Sequence, residues 1–165
     1  MSDLDHPKVA PFTQDVARGL QIEPSFVDFV FAVERPVCFQ YWCESVDGGW
    51  TCFVPDEIDI AYPLWSCNAD QTLLLLSHGN ISFGKGYHDA ADMEMISGTS
   101  QGLLADLINL LYESETPEEE ILLAAEFCGF RFLTDYFTFI KEPIPYETDR
   151  EKRWSAFVRS IDANN

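Results

Sequence analysis

The sequence predicts an α+β fold in a single domain. Three observations carry that expectation. Short β-rich runs punctuated by glycine, proline and asparagine occupy the middle of the chain. Apolar residues at helical spacing dominate from about residue 100 onward. The two patterns succeed one another instead of alternating, which separates α+β from a wound α/β sheet. A chain of 165 residues fits one domain and can bury a core without metal or disulfide staples.

Residues 1–11 read as a loose polar lead-in. The segment 12–34 predicts one or two helices: Phe26, Phe29 and Val30 fall at i, i+3, i+4 behind the candidate cap Ser25. Val27, Phe29 and Phe31 also alternate, so a strand is the competing reading. "VCFQYWCESVDGGWTCFVP" (37–55) reads as a β-hairpin turning at Asp47-Gly48-Gly49, because glycine permits positive φ. "IDIAYPL" (58–64) predicts a short strand closed by Pro63. "QTLLLLS" (71–77) and "ISFGK" (81–85) form a second hairpin through a Gly79-Asn80 turn, and "MEMIS" (93–97) a last strand.

The period then switches. Residues 100–114 carry Leu103, Leu104, Leu107, Ile108, Leu110 and Leu111 behind a cap at Thr99 or Ser100. In 116–130, Thr116 as N-cap, Pro117 at N1 and Glu119 at N3 make a capping box, and Gly129 suits the C′ position. A shorter helix follows at 133–140, broken by "KEPIPYE" (141–147). Residues 149–161 read as a C-terminal helix with Trp154, Phe157, Val158 and Ile161 on one face.

Charge is the most informative bulk property. The chain holds 28 acidic and 10 basic residues, net −18. Between Pro36 and Phe130 there are sixteen Asp/Glu and a single basic residue, Lys85, while Arg150, Lys152, Arg153 and Arg159 gather late. Such a field repels phosphate, which argues against nucleic-acid binding, and it steers basic partners. No apolar run approaches the ~20 residues of a membrane span. The first residues, "MSDLDHPK", lack the features of a signal peptide, and the five cysteines show no CxxC. A cytoplasmic protein with reduced thiols is the expectation.

Candidate chemical motifs are weak. Cys67 with His78 or His88 imitates a Cys–His pair, but its acidic surroundings disfavour a thiolate. His78, His88 and Asp89 lack metal-ligand spacing. "GNISFGKG" (79–86) is not a phosphate-binding loop. "DEID" (56–59) and "ESETPEEE" (113–120) read as exposed acidic segments, the latter engaged in capping. No catalytic constellation, cofactor motif or metal site emerges, and a non-enzymatic protein is expected.

The order of "YPLWSCNADQTLLLL", "ISFGKGYHD", "SGTSQGLLADLINLLYES" and "EEEILLAAEFCGFRFLTDYFTFI" resembles the SMI1/KNR4 (SUKH) superfamily. The positions carrying the likeness are Pro63-Leu64-Trp65, Asn68, Asp89, Gln101 and Gly129-Phe130, across about residues 37–140. The resemblance implies a central, largely antiparallel sheet with flanking helices. It also implies a bacterial immunity protein that binds and neutralises a cognate polymorphic toxin in the cytoplasm, without catalysis. The alternative it leaves is a regulatory interaction module with no toxin partner. Charge adds that the toxin is basic and targets nucleic acid. The expected contact residues are Asp56, Glu57, Asp59, Asp70, Asp89, Asp92 and Glu94, with Trp42 and Trp50 as aromatic anchors and Trp65 in the core.

Overall fold

The sheet forms where turn residues separate the β-rich runs. In a computed structural model that describes residues 7–46, 52–146 and 148–165, its strands are β1 (Ile60–Cys67), β2 (Asp70–Ser77), β3 (Asn80–Gly86) and β4 (Met93–Ser97). They pair in the order β1-β2-β3-β4, every neighbour antiparallel. Two-residue loops join the first three. Asn68 and Ala69 take φ of 50° and 70° between Cys67 and Asp70, and His78 and Gly79 take 49° and 79° between Ser77 and Asn80. Paired positive φ values match the right-handed twist of the strands they connect.

The helices are α1 (Gln14–Gly19), α2 (Pro24–Val30), α3 (Val37–Gln40), α4 (Ser100–Glu113), α5 (Glu118–Cys128), α6 (Leu133–Lys141) and α7 (Arg150–Asn164). Most lie in the C-terminal half, and the fold is α+β. No helix among the described residues is long and apolar enough to cross a membrane.

The main core lies between one sheet face and the helices. Phe26, Phe29, Trp65, Leu74, Phe83, Leu104, Ile108 and Tyr136 are buried there. A smaller cluster of Val54, Ile58, Ala61, Leu73 and Leu75 covers the opposite face. This explains why β2 reads as four consecutive leucines: Leu74 faces the helices and Leu73 and Leu75 face the second cluster. A strand covered on both sides has no solvent face to alternate with. Gly86 permits that cover, since a Cβ there would stand 2.7 Å from the Cys52 Cβ.

Several expectations are corrected. Among the described residues of 37–55, neither expected β-run forms a strand. Val37–Gln40 is helical, and Phe39 and Cys43 are buried at i, i+4 spacing. Glu44 makes one isolated bridge to Ser66. Residues 52–55 carry no strand; the Cys52 thiol donates to the Gly86 carbonyl at 3.1 Å. The supposed turn at Asp47-Gly48-Gly49 lies outside the described residues. Packing decided against β propensity here.

Pro63 does not close its strand. β1 continues to Cys67, with a register shift between Pro63 and Trp65. A bulge on an edge strand accommodates the missing donor. The second hairpin turns one residue earlier than expected, at His78-Gly79.

The region 12–34 is helical at 14–19 and 24–30, so the strand alternative fails. Glu23, not Ser25, occupies the N-cap of α2. The capping box at Thr116 is also absent: α5 begins at Glu118 with Pro117 at its cap and no side-chain cap bond. The Pro117 carbonyl accepts from the Glu120 and Ile121 amides instead. Thr99 caps α4, its hydroxyl accepting from the Gly102 amide, and Gly129 ends α5 at φ 75°.

Gln101 is fully buried and fastens these parts together. Its Nε2 donates to the Gly129 carbonyl at 2.9 Å and to Glu23 at 3.2 Å. Its Oε1 accepts from the Arg131 amide at 2.9 Å.

Candidate functional site

The antiparallel register divides the expected contact residues into two groups. β2 spans 8 residues, and a rise of ~3.3 Å per residue places its ends roughly 23 Å apart. Asp70, Asp89, Asp92 and Glu94 gather at the end that carries the Asn68-Ala69 turn, because Gln71 pairs with Gly86 and Gly86 with Met93. Asp56, Glu57 and Asp59 lie at the opposite end, beside the His78-Gly79 turn.

The far group is exposed, but its backbone and the Asp59 carboxylate are tied into the fold. The Asp59 carboxylate accepts from the His78 amide at 2.6 Å. The Ser77 hydroxyl donates to the Glu57 carbonyl at 2.6 Å. Lys8 donates to the Asp56 carbonyl at 3.0 Å and stands 3.7 Å from its carboxylate.

At the near end, Asp89, Asp92 and Glu94 are exposed and Asp70 is partly exposed. Asp70 Oδ1 accepts from the His88 amide at 3.2 Å and faces the His88 Nδ1 at 2.9 Å. That contact raises the affinity of the imidazole for its proton above the ordinary value, with Asp89 adding to it. Burial raises the Tyr87 phenol pKa, and its hydroxyl donates to Glu94, which raises it further. Asn68 Nδ2 donates to the Tyr41 hydroxyl at 2.5 Å, and the Tyr41 and Trp42 rings meet edge-on at 4.8 Å.

Behind this end lies a cavity of about 200 Å³ between the sheet and α4. Trp42, Trp65, Leu103, Leu107 and Leu110 supply apolar wall, and Asp70, Thr72, Lys85, Tyr87 and Asp106 supply polar groups, with Gln71 also on the lining. Lys85 Nζ donates to Asp106 Oδ2 at 2.6 Å, with side chains only 19% and 18% exposed. Burial pushes the Asp106 carboxyl up, and Lys85 opposes that rise. Gln71 is 4% exposed, and its Oε1 has no hydrogen-bond partner.

Of the residues expected to contact a partner, the structure brings Asp70, Asp89, Asp92, Glu94 and Trp42 to one end of the sheet and sends Asp56, Glu57 and Asp59 to the other. Trp42 is half-buried at the cavity, and Trp65 is core, 5.6 Å from the Phe29 ring. Trp50 lies outside the described residues. Asp106 was missed. A signal existed for Asp106: it interrupts the apolar face that Leu103, Leu107 and Leu110 make on α4.

Cys67 lines the same cavity, but burial raises its thiol pKa and the nearby Glu44 and Asp70 add to the effect. A thiol held protonated is a poor nucleophile. His78 lies at the other end of the sheet, and His88 is engaged by Asp70. Among the described residues no group of three or more His, Cys, Asp or Glu could hold a metal ion.

Comparison with known proteins finds no matching family model, no matching curated protein and no matching solved structure.

Proposed function

We propose that this chain is a non-catalytic immunity protein. It binds and neutralises a cognate secreted polymorphic toxin, a basic protein that acts on nucleic acid, in the cytoplasm of the producing cell. The observation that carries the reading is the near end of the sheet. Asp70, Asp89, Asp92 and Glu94 share it with half-buried Trp42. Grouped carboxylates accelerate encounter with a basic surface, and a tryptophan beside a cavity is a favoured anchor. The net charge of −18 extends the same field over the molecule.

Asp56, Glu57 and Asp59 serve a different role in this reading. Asp59 stabilises the opposite turn, and all three contribute to the field without contacting the toxin.

The test is co-purification of the chain with the product of its adjacent gene, at low and at high salt. The reading expects a complex that weakens steeply with salt. A complex indifferent to salt contradicts the electrostatic account. Failure to bind that product, or to protect cells expressing it, contradicts the immunity assignment.

A further inference from the structure

We propose that the outward face of α5 is a docking surface for a basic amphipathic helix of a partner protein. This face is distinct from the acidic end of the sheet.

The helix is apolar on more than its core side. Ile121, Ala124, Ala125 and Cys128 are buried. Leu122, Leu123 and Phe127 turn outward and stay 50%, 63% and 42% exposed. Single exposed apolar residues are ordinary, but a surface helix normally keeps its outer face polar. At about 100° per residue, Leu123 and Phe127 stack one turn apart into a ridge. Glu119 and Glu126 run along one side of it and Glu120 along the other. The Phe127 ring meets Phe29 edge-on at 6.3 Å, which fixes the ridge to the core. Helix α3 packs against α5 on the Glu120 side. Its Cys38 thiol is raised in pKa by burial, and the Glu120 charge adds to the rise. Val37, next in the chain, is 77% exposed and adds apolar surface.

Charge selects the occupant. Glu118 stands 3.5 Å from Lys141, but among the described residues no cation pairs with Glu119, Glu120 or Glu126. Arg35, over the Phe29 ring, is committed to the carbonyls of Phe29, Val30 and Cys43 at 3.3, 2.6 and 2.9 Å. An apolar ridge between unpaired carboxylates complements a helix whose apolar stripe is bordered by Lys and Arg. Nucleic acid and anionic lipid are repelled by it. A second copy docked α5 to α5 about a two-fold axis sets the same carboxylates against one another. A second copy docked through its basic helix α7 brings no exposed large apolar residue to the ridge. The 11 residues of α5 extend about 16 Å, which accommodates about three turns of a partner helix.

The full chain can be titrated with the amphipathic peptide LKKLLKLLKKLLKL. The controls are its glutamate counterpart, LEELLELLEELLEL, and a scramble of the basic peptide without helical period. The Leu122 and Leu123 methyl and Phe127 ring resonances are followed by NMR. The basic amphipathic peptide should shift all three saturably and bind at least tenfold more tightly than either control. Leu123→Gln should weaken it at least tenfold, read at Phe127; the residue is exposed, so the fold is kept. Glu119→Gln with Glu120→Gln and Glu126→Gln should weaken it more than the charge-matched Asp89→Asn, Asp92→Asn and Glu94→Gln. Equal binding of the scramble overturns the docking face. So does an unchanged affinity in Leu123→Gln, or a response confined to the acidic end. Leu122 and Leu123 shifts that depend on protein concentration without peptide assign the face to a second copy and overturn it too.

The outcome is separable from the immunity reading. A peptide that fails to seat on α5, with the adjacent gene product still bound, removes the docking face and leaves that reading. A peptide seated on α5, with no binding of the adjacent gene product, removes the reading and leaves the face.

Discussion

Lys85 and Asp106 show how a single residue's role depends on its partner. Their side chains are 19% and 18% exposed and 2.6 Å apart. Deleting one member of a buried pair strands the other charge, which costs about 3–5 kcal/mol, whereas replacing both with apolar groups is often neutral. Asp106→Ala should therefore lose about 3–5 kcal/mol in chemical denaturation, and Lys85→Met with Asp106→Leu should lose much less. Lys85 stood out in the sequence as a lone cation needing a carboxylate. Its partner did not, because Asp106 lies 21 residues away on a different element. The His88–Asp70 contact is a second residue-scale case. The folded imidazole titrates above the ordinary 6.5. The contribution of the pair is therefore fully present below about 6.5 and is lost as pH rises through the folded value. Asp70→Asn should move the His88 midpoint down in an NMR titration, and an unmoved midpoint would dismiss the pairing.

Among the elements, the turns and the α7 anchor carry the clearest consequences. Ala69 holds φ 70° in the β1–β2 turn. That conformation costs an L-residue roughly 1–2 kcal/mol, against about 0.5–1 kcal/mol of extra chain entropy for glycine. Ala69→Gly should stabilise the protein by roughly 0.5–1 kcal/mol, read as a shift in denaturation midpoint. Asp162 of α7 binds the β4–α4 connection: Oδ1 accepts from Ser97 and Thr99 hydroxyls at 2.7 and 2.6 Å, and Oδ2 from the Gly98 amide at 3.1 Å. Losing several bonds to a charged acceptor makes Asp162→Ala cost about 2–4 kcal/mol, with α7 the first element to lose amide protection. Strands β2, β3 and β4 and helices α4, α6 and α7 were legible because turn residues or caps bounded a clean period. Segment 37–46 was not. Its aromatics carry β propensity, and only tertiary burial of Phe39 and Cys43 selects a short helix. The bulge after Pro63 was equally hidden, since proline alone does not reveal whether a strand ends or bends.

Over the whole molecule, the sequence disclosed the acidic field and the α+β plan, but not which carboxylates meet. That information is in the register, which sends Asp70, Asp89, Asp92 and Glu94 to one end and Asp56, Glu57 and Asp59 to the other. The cavity was hidden for the same reason, being assembled from β1, β2, β3, α4 and the Trp42 segment. The central claim is that one acidic end, rather than net charge as such, holds the toxin. The most direct measurement compares two charge-matched variants for binding to the adjacent gene product at fixed salt. One carries Asp89→Asn, Asp92→Asn and Glu94→Gln; the other carries Asp56→Asn, Glu57→Gln and Asp59→Asn. The account predicts at least a tenfold loss of affinity in the first and little change in the second. Equal losses in both, or the larger loss in the second, would contradict it.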